Sequence, residues 1–405
     1  MCISHARYYT PFLLAVQQFN AYTYHMKQLL TKPVLELFTA LNGNARIVGG
    51  AVRDALMKIP ICDIDMATPY APQDVISLLD KHNIRTIPTG LKHGTVSALI
   101  NDTLYEMTTL RRDEKTDGRH ATVAFTDSYE EDARRRDFTI NALYVDKDGR
   151  VFDYINGRAD IEKKYVRFIG NADERTREDY LRILRYFRFW GKMGHGQVDG
   201  PAIAACTRYA PNLSQISKER KRDELFKILM QQNAPLTLRL MEQTGVLKML
   251  LPTAHITALE KFLQVNPHAR VLERLSILSE TPCLDLALSN IQKNTLKLYA
   301  DTPNMTVGEK ALKMLLFDRG TDAFQFYVNR AISKEQITPT NAQQLSALRM
   351  PFFPITGADL LELGYVQGPQ IKQALQLAKT IWADLNFTDN KKLVLTTLMA
   401  YNKNK

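Results

Sequence analysis

Cysteine is scarce. Four thiols, Cys2, Cys62, Cys206 and Cys283, are spread over 405 residues. They are too few and too scattered for a disulfide framework or a zinc site, and reduced thiols in a cytosolic protein are the simplest expectation. No apolar run approaches the length of a membrane span, so no membrane partner is expected. The apolar patch at 12–16 is too short for a secretory signal. No histidine is followed by an aspartate, so no appended phosphohydrolase of the His-Asp type is expected.

What is present is otherwise ordinary. Hydrophobic residues make up 45% and charged residues 24% of the chain, as in a soluble globular protein. The length suggests roughly two to four domains with ample core. Charge is the departure: 53 Lys and Arg against 43 Asp and Glu leave a net charge of +10. That excess favours a polyanionic partner, although basic proteins without one exist. Residues 1–25, with Tyr8, Tyr9, Tyr22 and Tyr24, are unlike the rest. They read as an extension or a misplaced start ahead of Met26, with an organellar targeting role as the alternative to a cytoplasmic protein.

The chain is organised around residues 45–68. Residues 46–48 read as a short buried strand, Gly49 and Gly50 break it, and 51–57 read as a helix start. A strand, a glycine pair and a helix N-terminus together make a seat for phosphate, because unpaired N–H groups point outward there and glycine admits a close anion. Asp63 and Asp65 follow a turn at Pro60. Alternate residues of a strand share a face, so two carboxylates would lie side by side and repel unless a cation sits between them. Magnesium, which takes oxygen ligands and bridges to phosphates, is the natural candidate. Taken alone, the glycines fit a Rossmann-like turn with solvated aspartates equally well.

Downstream, 96–100 and 104–110 read as an antiparallel hairpin beside that strand, and Glu106 lies in its second half. Residues 112–125 are polar and aperiodic, as in a mobile loop. Arg134, Arg135 and Arg136 lead into Asp137-Phe-Thr-Ile-Asn141. Arginine forks suit phosphate oxygens. Asp137 and Asn141, four apart, would share one side of a helix and reach ribose hydroxyls.

A third stretch, 177–189, carries Glu178, Asp179, Arg182 and Arg185 on an apolar-striped helix. Asp179 and Arg182, three apart, would face the same way. A helical ion pair is the plain reading and contributes little. Base chemistry gives a sharper one. Cytosine and adenine both present an amino donor beside a ring-nitrogen acceptor, which a carboxylate and a guanidinium satisfy. Uracil and guanine present the reverse, and two mispaired buried contacts cost on the order of several kcal/mol.

GGxVRD followed nine residues after its Asp by DxD, then RRDFTINAL, then EDxxR, closely resembles the motif series of class II tRNA nucleotidyltransferases (CCA-adding enzymes) and bacterial poly(A) polymerases. The resemblance implies an α+β catalytic head with a small mixed sheet, followed by an all-α neck, body and tail. It implies boundaries of 26–156 for the head, 157–230 for the neck, 231–350 for the body and 351–405 for the tail. It implies that Asp63, Asp65 and Glu106 hold two Mg²⁺ ions. Gly49, Gly50, Arg53, Arg111, Arg135, Arg136, Asp137, Asn141, Glu178, Asp179, Arg182 and Arg185 would bind nucleotide. Asp179 and Arg182 would be the amino-acid template, with Glu178 steadying Arg182, while Glu219, Arg220 and Glu224 would brace the pocket. The implied reaction is addition of CMP, CMP and AMP to a tRNA 3′ end from CTP and ATP, with pyrophosphate released. The neck, body and tail would grip the acceptor arm by its phosphates. The stretch TGLxHGTV and the loop at 112–125 favour full CCA addition. A poly(A) polymerase is the first rival, disfavoured because a GRRF-like run ahead of Glu106 is missing. A catalytically silent RNA-binding protein on the same scaffold is the second.

Overall fold

The computed structural model describes residues 26–88, 90–91, 94–113, 123–279 and 286–403. The expectations placed on residues 1–25, on parts of the TGLxHGTV stretch and on 114–122 fall outside these. The chain divides into two compact units, one ending at Leu250 and the other running from Leu251.

The first unit begins with helix α1 (Lys32–Ala40), which buries Val34, Leu37 and Phe38. It stops at Asn42 and Gly43, both left-handed, as an Asn-Gly pair favours. Strand β1 (Arg46–Val48) and helix α2 (Gly50–Leu56) follow. Next come β2 (Asp65–Thr68), α3 (Pro72–Lys81), β3 (Arg85–Ile87), β4 (Thr95–Ile100) and β5 (Thr103–Thr109). The short strands β6 (Arg111–Asp113) and β7 (Val123–Phe125) pair with each other as a separate ribbon. Helix α4 (Tyr129–Arg134), a 3₁₀ turn at Thr139–Asn141 and the hairpin β8 (Leu143–Val145) and β9 (Val151–Asp153) complete the head.

The main sheet has seven strands in the order β3-β4-β5-β2-β1-β8-β9. Among the described residues only β2 and β5 run parallel, and every other pairing of this sheet is antiparallel. The mixed sheet and the β4–β5 hairpin beside β2 agree with the sequence reading. Three expectations are corrected. Asp63 is not in a strand, because pairing begins only at Asp65. The 112–125 segment is not a loop at its ends, because Arg111, Arg112 and Asp113 pair with Phe125, Ala124 and Val123 as β6 and β7. Asp137 and Asn141 do not lie on an α-helix: Phe138 is extended and only a 3₁₀ turn follows.

Helical structure takes over after β9. Helix α5 (Gly157–Glu162) packs against the 3₁₀ turn at Gly157, where a Cβ would come within 2.1 Å of the Thr139 carbonyl oxygen. That close approach is open only to glycine. Helices α6 (Ala172–Glu178), α7 (Leu181–Lys192), α8 (Gly200–Tyr209), α9 (Lys218–Leu229) and α10 (Ala234–Gln243) follow. The stripe on α7 buries Leu181, Ile183, Leu184, Tyr186, Phe187, Phe189 and Trp190. The expected neck boundary at 230 is not where this unit ends. Leu238 and Met241 of α10 are buried, α10 packs on α7, and the connecting Gln231 amide donates to the Arg188 carbonyl at 2.6 Å.

The second unit has only helices as regular elements among its described residues. It comprises α11 (Ile256–Val265), α12 (Val271–Leu278), α13 (Asn290–Ala300), α14 (Glu309–Arg319), α15 (Thr321–Ser333), α16 (Pro339–Ser346), α17 (Gly357–Glu362), α18 (Pro369–Asp384) and α19 (Lys391–Lys403). Trp382 is fully buried, with Phe317, Phe353 and Phe387 at 5.0, 5.1 and 5.0 Å between ring centroids. Phe317 belongs to α14, so the core crosses the expected body–tail boundary at 350. No helix among the described residues is long and apolar enough to cross a membrane.

Candidate active site

The sheet brings the carboxylates together. Asp65 opens β2 and lies in parallel register with Glu106 on β5. Met66, Ala67 and Thr68 anchor β2 in the core, while Asp65 and Glu106 stay on the exposed surface. Asp63 approaches from the coil two residues earlier. The Asp65 carboxyl is pushed up to about 6, first by the crowding of surrounding protein and then by the charges of Glu106 and Asp63, with Arg136 acting the other way. Mutual repulsion of this kind is what a bound cation relieves. Among the described residues no three carboxylate, imidazole or thiol groups come close enough together to hold a metal ion by themselves. Magnesium does not need one: it is held by one or two carboxylates and completed by phosphate oxygens and water. The donor set therefore fits an ion shared with a nucleotide.

An arginine pair stands beside the carboxylates. Gly49 caps α2 with φ 74° and ψ −120°, a conformation that disfavours any side chain. A Cβ there would lie 3.6 Å from Nη1 of Arg136. Arg135 and Arg136 are both gripped by one carboxylate, that of Asp132, which is 1% exposed. Arg136 donates to Oδ2 at 2.9 and 3.1 Å, and Arg135 Nε donates to Oδ1 at 2.8 Å. The Tyr144 hydroxyl donates to Oδ2 at 2.8 Å and the Arg111 N–H to Oδ1 at 3.2 Å. Burial alone would raise the Asp132 carboxyl, but Arg136 and Arg135, the hydroxyl and the N–H together hold it below the usual carboxylate range. Arg111 thus meets this cluster through its backbone, and its carbonyl accepts from Arg135 at 3.1 Å.

Arg53, Asp137 and Asn141 are placed differently from what their motifs suggest. Arg53 is buried, pairs with Asp54 at 2.7 Å and donates to Asn141 Oδ1 at 2.5 Å. Asp54 in turn pairs with Lys192 at 2.8 Å. Asn141 donates to Asp137 Oδ1 at 3.2 Å, and Arg185 Nε donates to Asp137 Oδ2 at 2.7 Å. Burial favours a neutral Asp137, but Arg185 and then the hydrogen bonds of Asn141 and the Phe138 N–H hold its carboxyl low. These residues form an internal wall that joins α2, the 3₁₀ turn and α7.

The expected base-reading pair is also reshaped. Asp179 is not on the helix with Arg182; it sits extended between α6 and α7 with φ −152°. Its Oδ1 caps α7 by accepting from the Leu181 N–H at 3.0 Å, and its Oδ2 pairs with Arg220 at 2.8 Å. Glu178 accepts from Arg182 Nη1 at 2.5 Å, which is the steadying contact anticipated for it. Glu224 pairs with Arg188 at 2.7 Å. Asp132, Arg175 and Arg188 were not singled out as site residues. Asp132 and Arg175 lie at helical spacings from the arginines or the glutamate they serve, whereas Arg188 meets Glu224 on another helix, and spacing alone does not reveal a shared partner.

Residues 45–167 match the family description "Poly A polymerase head domain", and 198–256 match "Probable RNA and SrmB- binding site of polymerase A". The chain is 33% identical over 389 residues to the mitochondrial CCA tRNA nucleotidyltransferase 1 of Danio rerio, covering 90% of this chain and 89% of that protein. It is 34% identical over 387 residues to the protein of the same name from Homo sapiens, covering 90% and 88%. Among solved structures it is similar to the Bacillus stearothermophilus CCA-adding enzyme in complex with CTP. That likeness has a TM-score of 0.74 and 28% identity, over 91% of this chain and 97% of that one.

Proposed function

The chain belongs to the family of class II CCA-adding enzymes and poly(A) polymerases, and from that premise we propose that it adds CCA to the 3′ end of tRNA from CTP and ATP. The observation that carries the chemistry is the register of Asp65 with Glu106, which crowds two carboxylates beside a third, Asp63. In each step the primer's 3′ oxygen bonds to the α-phosphorus while the bond to the β-phosphate bridge breaks, and pyrophosphate leaves. Two magnesium ions at Asp63, Asp65 and Glu106 would supply charge neutralisation and a more acidic primer hydroxyl.

The chain's own residues do the rest. Arg135 and Arg136, aimed by Asp132, hold the triphosphate beside Gly49 and Gly50. Asp137 and Asn141, fixed by Arg185 and Arg53, form the wall that the ribose meets. Asp179 accepts the amino hydrogen of cytosine or adenine, and Arg182 donates to the neighbouring ring nitrogen. Arg182 Nη1 is engaged by Glu178 and by the Arg175 carbonyl, so the guanidinium is oriented before a base arrives. Selection of C and A then needs no nucleic-acid template. The helical regions beyond residue 157 grip the acceptor arm by its phosphates, in keeping with the net charge of +10. For the compartment we infer the cytoplasm, on the free thiols Cys62 and Cys206. Cell fractionation tests this inference against the mitochondrial residence named for the vertebrate relatives.

Asp63→Ala tests the metal-site assignment. Incorporation of labelled CTP into tRNA lacking its CCA end is expected to vanish while tRNA binding, measured by filter retention, survives. Full incorporation by that variant would refute the assignment.

A further inference from the structure

Arg175 is buried at the end of α6, away from any expected contact with nucleotide, yet it touches both halves of the site. Helix α4 ends at Arg134, so the carbonyls of Arg135 and Arg136 have no helical partner. Nη2 of Arg175 donates to both, at 2.7 Å in the case of Arg136. Its Nη1 donates to Glu178 Oε2 at 2.6 Å, the oxygen that also accepts from Arg182. The backbone carbonyl of Arg175 accepts from Arg182 Nη1 at 2.9 Å. One residue thus joins the backbone of the triphosphate-holding arginines to the guanidinium that reads the base.

We infer that Arg175 is a positioning residue for base choice, fixing where Arg182 stands relative to the triphosphate site. The inference rests on the functional reading above. Its physical content is geometric. A base and a triphosphate belong to one ligand, so the register between their two receptors decides whether a wrong base is left unpaired or tolerated by a small shift. A guanidinium reaches two partners from two separate nitrogens in a fixed plane. Lysine keeps the charge but offers its donors from a single nitrogen and cannot span both.

Arg175→Lys separates this role from plain packing. Addition of one nucleotide to tRNA lacking its CCA end is measured with CTP and with UTP. The ratio of the two kcat/KM values is expected to fall at least about tenfold, which corresponds to ~1.4 kcal/mol, while kcat for CTP stays within about threefold. That ratio does not depend on how much of the preparation is folded. A structural role would lower both rates by one factor and leave the ratio unchanged, which overturns the inference. Arg175→Gln keeps a planar donor of similar reach but loses the second nitrogen that joins the two halves. Where Arg175→Lys does not accumulate as folded protein, a fall in the Arg175→Gln ratio supports the inference and an unchanged ratio overturns it. If the unaltered protein adds no CTP at all, the functional reading fails instead, and the two failures are distinct.

Discussion

Asp65 is the residue where fold and chemistry pull in opposite directions. Its carboxyl is raised from 3.8 to about 6, so ionising it works against the folded state. The sign follows from the direction of the shift. Protonation is favoured in the folded chain, so the stabilising contribution is complete below about 4 and is lost as pH rises through about 6. Without magnesium, Asp65→Asn is therefore expected to raise the thermal midpoint at pH 8 and to change it little at pH 4. The gain is about 1 kcal/mol after allowing for solvent screening of an exposed group. The same variant should lose nucleotide addition. In the unaltered protein at low magnesium, kcat/KM should fall as pH drops below about 6, because the ionised form is the one that serves the reaction, and added magnesium should move that fall to lower pH. Melting curves at the two pH values check the first part, and a pH–rate profile checks the second. A destabilised Asp65→Asn at pH 8 would contradict the crowding argument.

Elements, more than residues, decided what could be read in advance. The glycine pair, the apolar periodicity of α7 and the alternation in β4 and β5 are local signals, and the elements they imply are present, with Asp65 and Glu106 on neighbouring strands. Side-chain partnerships were illegible where they depend on contacts far apart in sequence. Arg53 reads as a nucleotide-binding residue in its motif, but meets Asn141, 88 residues on, in the interior. Asp179 and Arg182 read as one helical face, but the chain breaks at Asp179, whose carboxylate caps α7 and is held by Arg220, 41 residues on. Asp132, an acidic residue in a charged helical stretch, carries no local sign of burial. Its burial comes from Tyr144, on a strand whose pairing with β1 no local pattern reveals. Two substitutions separate these elements. Asp132→Asn should release both arginines, and breaking a buried pair costs about 3–5 kcal/mol, so KM for CTP and ATP should rise together. Arg182→Ala should instead relax the preference for C and A over U and G with less effect on triphosphate binding. Steady-state constants for all four nucleotides separate the two outcomes. An unchanged base preference in Arg182→Ala would refute its role in reading the base.

At the scale of the molecule, the boundary after Leu250 was not legible, because α9 and α10 give a helical pattern on both sides of residue 230 and only the packing of α10 on α7 assigns it. The lost distinction between body and tail has the same cause: Trp382 draws Phe317 into a core whose members are far apart in sequence. The net charge was legible at once and has a direct consequence. Binding through phosphates releases counterions, so KM for tRNA should rise steeply between about 50 and 200 mM salt, while KM for CTP moves much less. Equal salt sensitivity of the two would argue against a phosphate-tracking surface. The central claim is that one protein pocket chooses C, C and then A and stops. The most direct test incubates the purified chain and magnesium with a tRNA transcript lacking its CCA end, offering each labelled NTP alone and then CTP with ATP. Products are sized at single-nucleotide resolution. The account predicts a product extended by three nucleotides that requires both CTP and ATP. Long tails from ATP alone, or no extension under any condition, would contradict it.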